Sequence, residues 1–302
     1  NRVIELVVEA APMQKPDPRN LEIFLKQKII QAGFNGIAEI YIQDLETDQV
    51  VHFAVRDGND LPVDIAFSAA STIKIPILIS SLLRSGETVP ENVANLANRM
   101  IVLSENPPAD SLMETVIGST LAPLRVTEDL QKMGLENTFL AGYFYLGAPL
   151  LQRFETQANQ RTDIQLRPDV YNQTTASDMG RLLAALYNCA ERGVGLLMDT
   201  FPGEINAAKC QFVLDVLKNN KIGVLSEAGL PEGITVAHKH GWTEESDGYL
   251  HTVSDVGIVF TPGSDYVLVI FLYDPIQLLF NPGNELIAQL SQVIYNYYNP
   301  QA

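Results

Sequence analysis

The chain has 302 residues, enough for one large domain or two modest ones sharing an interface. Hydrophobic residues make up 46% and charged residues 19%, which excludes a disordered chain. Against 20 Lys and Arg stand 36 Asp and Glu, a formal charge of −16 that argues against nucleic acid and anionic membranes as partners.

In chain order, the opening to Asn20 reads as irregular, with Pro12, Pro16 and Pro18. Leu21 to Ala32 has apolar residues at helical spacing and a C-cap at Gly33. Ile37 to Leu45 and Gln49 to Val55 alternate apolar and polar residues, as the two arms of a hairpin do. Ile73 to Leu83 is apolar enough for a buried helix, and Pro76 falls in its first turns, where a missing N–H costs least. Shorter helices are expected over Asn92 to Leu103, Ala109 to Ile117 and Val126 to Met133, and a longer one over Ala176 to Arg192 after a Thr174-Thr175 start. Between Tyr143 and Gln173 there is little periodicity, which predicts a long, functional or Ω-type loop. Strands return at Ile234 to Trp242, Val253 to Thr261 and Tyr266 to Tyr273, and Asn284 to Tyr298 closes as an amphipathic helix with Ile287, Leu290, Ile294 and Tyr298 on one stripe.

These elements predict an α+β architecture. An antiparallel sheet is assembled from both termini and flanked by terminal helices, with an all-helical subdomain inserted between its second and third strands. The expected division is one catalytic domain over 1–302, its α/β part from 1–66 and 195–302 and its helical part from 67–194. A ligand cleft is expected where the two parts meet. No apolar stretch is long enough to cross a bilayer: the most apolar run, Tyr266 to Phe280, is broken by Asp274 and Pro275. Cys189 and Cys210 lack metal-site spacing and read as two buried thiols, with a single disulfide as the alternative. His238 and His240 share one face of a strand but want a third zinc ligand, so no metal is expected.

Three short motifs carry the chemistry. Ser71-Thr72-Ile73-Lys74 opens the central helix, and a lysine three residues on lies on the serine's face. A serine is a poor nucleophile without a base, and a lysine whose ammonium is disfavoured can serve as one. Ser104-Glu105-Asn106 falls between two helices. Its hydroxyl can pass a proton to a leaving nitrogen, or Ser104 is an ordinary helix cap before Pro107 and Pro108. Lys239-His240-Gly241 lies on a strand, where the lysine suits a substrate carboxylate and the glycine lets a substrate backbone approach. The N–H groups of Ser71 and Trp242 would form the two halves of an oxyanion hole.

In this order and on these elements, the motifs resemble the S-x-x-K, S-D-N and K-T-G signature of the penicillin-recognising serine hydrolases, the class A β-lactamases and penicillin-binding D,D-peptidases. The resemblance runs from about Phe67 to Phe271 through FSAASTIKIPIL, RMIVLSENPPADSLMETVIG, NQTTASDMGRLLAAL, VAHKHGW and SDVGIVF. It implies Ser71, Lys74, Ser104 and Lys239 as catalytic residues and Asn106, His240, Gly241 and Thr243 as substrate-binding ones. It implies no cofactor, a β-lactam or peptidoglycan stem peptide as substrate, a monomer, and an exported protein. Departures from the family pattern are Glu105 for Asp, His240 for Thr or Ser, no arginine on the strand Val253 to Thr261, and only 104 − 71 = 33 residues between the two serines. The deacylating glutamate of class A enzymes has two candidate counterparts. Ungapped counting from MGLENTFL gives Phe144, which cannot activate water, whereas the pattern RFETQAN gives Glu155 with Asn159 as its partner on the water. Three functions follow: a β-lactam hydrolase needing a base such as Glu155, a D,D-peptidase trapped by penicillin, or an inactive wall-fragment binding protein.

Overall fold

The computed structural model describes residues 17–118, 120–164, 166–245 and 247–300, so most of the expected irregular opening lies outside it. The first helix, α1 (Pro18–Gln31), starts earlier than expected because Pro18 is tolerated at its first position and the Asp17 carboxylate caps the N–H of Arg19 at 2.9 Å. Then come β1 (Ile37–Asp44), β2 (Val50–Arg56) and two short strands, β3 (Asn59–Leu61) and β4 (Phe67–Ser68). Helices α2 (Lys74–Leu83), α3 (Glu91–Ile101), α4 (Asn106–Leu112) and α5 (Ala122–Lys132) follow. After β5 (Phe139–Leu140), a long segment without regular structure returns to β6 (Asn172–Thr174), as the missing periodicity predicts. Helices α6 (Ala176–Tyr187), α7 (Leu196–Thr200) and α8 (Ala207–Lys218) lead to β7 (Thr235–Glu244), β8 (Leu250–Phe260), β9 (Tyr266–Tyr273) and α9 (Phe280–Tyr298).

The large sheet is antiparallel, in the order β3-β2-β1-β9-β8-β7. It is the α+β sheet built from both ends of the chain, with one strand more than expected. The small β3 joins β2, so the helical run follows the sheet's third strand rather than its second. A second, three-stranded ribbon, β4-β6-β5, was not foreseen. It ties the segment before Ser71 to the end of the long loop through Phe67↔Thr174 and Ser68↔Gln173.

Each face of the large sheet closes its own core. Along β9, Val267, Val269 and Phe271 pack with the helices between the two halves of the sheet, while Leu268, Ile270 and Leu272 pack with α1 and α9. A strand buried on both faces needs apolar residues at every position, which is why its sequence reads as an unbroken run. The stripe Ile287, Leu290, Ile294 and Tyr298 of α9 is buried as expected. Among the described residues, no helix is long and apolar enough to cross a membrane.

Cys189 and Cys210 are bonded to each other, which corrects the expectation of two buried thiols. Helix α6 runs into a wider turn, Asn188–Arg192, that ends at Gly193 in the left-handed region. This turn sets Cys189 against α8. Closing a loop of 21 residues stabilises by about 3 kcal/mol through the unfolded chain's entropy. Replacing both cysteines by alanine is expected to lower the unfolding free energy by about that much. Denaturant unfolding with and without a reductant measures it, and an unchanged midpoint would contradict it.

Candidate active site

Ser71 does not stand on an α-helix. It sits in a 3-10 turn, Ala70–Ile73, that feeds α2, and the N–H of Lys74 donates to the Ser71 carbonyl. In this tighter helix residues three apart eclipse one another, so the lysine lies directly beside the serine. Lys74 Nζ is 3.0 Å from Ser71 Oγ. Two features fix the turn: the Thr72 hydroxyl donates to the Ala69 carbonyl at 2.7 Å, and Ala70 holds φ +48°. An alanine in the left-handed region is strained by about 1–3 kcal/mol, and such strain gathers at functional sites.

Ser104 follows α3 and is also left-handed, with φ +56°. That backbone turns both its oxygens to the lysines: its carbonyl accepts from Lys74 Nζ at 2.6 Å and its hydroxyl from Lys239 Nζ at 2.9 Å. Ser71, Lys74, Ser104 and Lys239 therefore form one connected set. Both lysines are fully buried. Burial brings Lys74 down to about 8, with Asp110 and Glu105 opposing. Burial, then the charge on Lys74, brings Lys239 down to about 7. The Glu105 side chain turns outward and pairs with Arg99 at 2.6 Å, so the departure from Asp is absorbed at the surface.

Lys239 lies on β7, the edge strand of the large sheet. Gly241, two residues on, is required by packing. A Cβ there would sit 2.8 Å from Ser254 Oγ and 2.9 Å from the Ala69 carbonyl, inside contact distance of the turn that carries Ser71. Gly241→Ala is expected to push that turn aside and slow covalent reaction at the Ser71 hydroxyl about 10–100-fold, since misplacement of about 1 Å costs that much. Stopped-flow rates of Ser71 labelling would show it, and a wild-type rate would contradict it.

His240 stacks on Trp242 at 4.3 Å between ring centroids. Burial, then Lys239, pushes its imidazole down to about 3, so it meets a substrate as a neutral ring. The ring nitrogens of His238 are already engaged, one with Asp255 at 2.9 Å and the other with the Asn220 carbonyl at 2.7 Å. Elsewhere, Glu39, His52 and Asp64 come close enough to share a cation. The Glu39 carboxylate already accepts the N–H groups of Asp64 and Ile65 and bonds His52 at 2.8 Å.

A cleft of about 340 Å³ opens over Ser71. Ser71, Ser104, Asn106, His240, Trp242 and Thr243 line it, with Lys74 and Lys239 hydrogen-bonded behind the two serines and Gly241 packed beneath. Phe144 lines it too, its ring 5.7 Å from Lys74 Nζ and its N–H donated to Asp110 at 2.9 Å. Glu155 is exposed and borders a different hollow with Arg153 and Gln160. Its companion Asn159 ties the long loop to itself, donating to the Phe154 carbonyl and to Gln173 Oε1 at 3.1 and 3.0 Å. Of the two residues the sequence offers for the deacylating position, the structure brings Phe144 to the site and leaves Glu155 outside. Asp169 and Asn172 also line the cleft, and nothing in the sequence singles them out.

A hydroxyl held by a buried amine, at the edge strand of such a sheet, makes this a serine hydrolase of the β-lactamase kind. The chain belongs to the beta-lactamase enzyme family, whose model matches residues 83–298. That match starts beyond Ser71 and Lys74, so their pairing rests on geometry. Solved structures share the fold at low identity. PBP-A is 20% identical over 93% of this chain and 97% of its own, with a TM-score of 0.64. A class A beta-lactamase representative from Bacteroides cellulosilyticus is 17% identical over 95% and 100%, at 0.67. TLA-1 extended-spectrum beta-lactamase is 14% identical over 93% and 99%, at 0.66. No curated protein matches the chain significantly.

Proposed function

We propose that Ser71 is acylated by β-lactams and by the D-alanyl-D-alanine type of peptide amide, and that the acyl-enzyme clears slowly. The protein then behaves as a penicillin-trapped D,D-peptidase rather than as a fast β-lactam hydrolase. One observation carries the choice between them: Phe144, not a carboxylate, stands over Lys74, and Glu155 lies outside the cleft. Asp169, which also lines the cleft, gives its two carboxylate oxygens to the Tyr171 N–H and the Asn172 side chain, and with no base at the Phe144 position the water that must attack the ester is weakly activated.

In the proposed sequence, neutral Lys74 takes the proton of Ser71 as Oγ attacks the amide carbonyl. The N–H groups of Ser71 and Trp242 hold the oxyanion. The C–N bond breaks, Ser104 passes its proton to the departing nitrogen, and the proton that Lys74 took from Ser71 restores the Ser104 hydroxyl, so both lysines end as they began. Lys239, with His240 and Thr243, holds the substrate carboxylate, and Asn106 faces the acyl side chain. The four connected polar groups speak against an inactive binding protein on this scaffold. Export to the compartment where such substrates occur is part of the same proposal, supported by the Cys189–Cys210 bond, since disulfides persist in oxidising surroundings.

With a chromogenic β-lactam, the expected result is a burst of one equivalent followed by slow turnover. Sustained rapid turnover without a burst would favour the β-lactam hydrolase instead.

A further inference from the structure

Behind His240, on the side away from the cleft, runs a buried polar chain that the acylation steps do not use. It starts at Asp255 on β8, whose carboxylate accepts the N–H of Ser226 at 3.1 Å and the Ser226 hydroxyl. The same carboxylate faces His238 Nδ1 at 2.9 and 3.0 Å. The other ring nitrogen of His238 lies 2.7 Å from the Asn220 carbonyl, which can only accept. With an acceptor at each nitrogen, His238 donates from both and is an imidazolium paired with Asp255. Burial opposes the charge on both groups, yet the pairing holds His238 above the usual histidine range and Asp255 below the usual carboxylate range.

His238 thus pins the backbone of Asn220, just beyond α8. Its own carbonyl pins the side chain, because Asn220 Nδ2 donates to it at 2.9 Å. That bond decides which way the amide faces, since a flipped amide would set two carbonyl oxygens against each other. The amide keeps this orientation although its Oδ1 is buried without a partner. The remaining N–H of Nδ2 is left for His240 Nδ1, 3.5 Å away. A ring nitrogen beside a fixed donor carries its lone pair there, so the proton of neutral His240 sits on Nε2. Lys239 Nζ, 3.4 Å from Nε2, does not compete for that lone pair. Its three N–H groups rotate, and Ser104 Oγ at 2.9 Å and the His240 carbonyl at 3.4 Å accept from them.

We propose that Asn220 is a positioning residue that fixes His240 in the Nε2–H tautomer, so that Lys239 and His240 present two donors side by side to a substrate carboxylate. This rests on acylation of Ser71 as proposed above and concerns how that same site takes the carboxylate. Two donors 3.4 Å apart suit the two oxygens of one carboxylate. In the other tautomer, Nε2 would turn a lone pair toward the anion and repel it. The imidazole N–H then serves where the family pattern has the hydroxyl of Thr or Ser.

The tautomer is read without substrate, by long-range proton–nitrogen correlation NMR of protein labelled in its histidine nitrogens. The His240 signals are assigned by their loss in His240→Ala. The wild type is expected to show a protonated Nε2 and a bare Nδ1, and Asn220→Ala to move the proton to Nδ1 in a large share of molecules. A wild-type ring protonated at Nδ1, or at both nitrogens, would overturn the proposal, and this reading decides even where the variant fails to fold. The functional arm compares Ser71 acylation by benzylpenicillin and by its methyl ester, which lacks the anion. The preference for the free acid is expected to fall about ten-fold in Asn220→Ala and in His240→Ala, and no further when the two are combined. Equal slowing with acid and ester, or losses that add in the double variant, would overturn the positioning role. With no Ser71 adduct from either compound, the acylation reading fails and the carboxylate role with it, while the NMR spectrum still decides the tautomer.

Discussion

Ser71→Ala is expected to abolish covalent labelling by penicillin and to leave the fold intact. The expected loss in acylation rate is on the order of 10⁶-fold, the scale seen when a serine hydrolase loses its nucleophile. No neighbour can take over. Ser104, the nearest other hydroxyl in the connected set, is held by Lys239 Nζ, and its carbonyl, not its hydroxyl, meets Lys74. The structural cost is small because the variant gives up a single side-chain contact, the 3.0 Å bond to Lys74, worth about 1 kcal/mol. Intact-mass spectrometry after penicillin treatment reads the first effect and thermal unfolding the second. Labelling that persists in the variant would refute the assignment.

Lys74→Ala is expected to slow acylation about 10²–10⁴-fold, the usual contribution of a positioned general base. The pH dependence gives the sharper signature. Lys74 acts as a base only when neutral, so its contribution rises as pH increases through about 8. Lys239 holds a carboxylate only when charged, so its contribution falls as pH increases through about 7. The product is a narrow bell in kcat/KM for the free enzyme, with its maximum between those two values. Lys74→Ala removes the rising limb and moves the falling one to higher pH, because the Lys74 charge is one cause of the low value at Lys239. A wild-type profile flat from pH 6 to 9 would contradict the roles of both lysines.

Where one periodicity ran unbroken, the chain's structure was legible. The β1–β2 hairpin, the three C-terminal strands and the buried stripe of α9 all follow from apolar spacing. Helix starts were less legible when prolines fell inside the first turn, where they are harmless: α1 begins at Pro18, α4 contains Pro107 and Pro108, and α9 begins before Pro282. Helix α8 was hidden because a charged residue occupies its core face. Lys209 is buried and gives its ammonium to the carbonyls of Leu82 and Glu204, both at 2.7 Å. The ribbon β4-β6-β5 has strands of two or three residues, too short to show a period.

For the site, the sequence pointed to Ser71, Lys74, Ser104 and Lys239, and the structure brings all four together. Local spacing could say this much because helices and strands fix which side chains share a face. The long loop obeys no such rule. RFETQAN is a plausible pattern around Glu155, but Asn159 folds the loop onto Phe154 and Gln173 and leaves the carboxylate in solvent. Asp169 and Asn172 reach the cleft from the far end of the same loop, through long-range pairing of β6 with β4 that no local pattern announces. The cysteines behaved alike: their bond depends on how α8 returns to α6, not on their spacing.

A lasting acyl-enzyme on Ser71 is read by peptide mapping with mass spectrometry, at intervals after mixing with penicillin. The expected result is one penicilloyl group per chain, carried by the peptide that contains Ser71, persisting after free penicillin is removed. An adduct on another residue, no adduct, or one that clears within a second would contradict it.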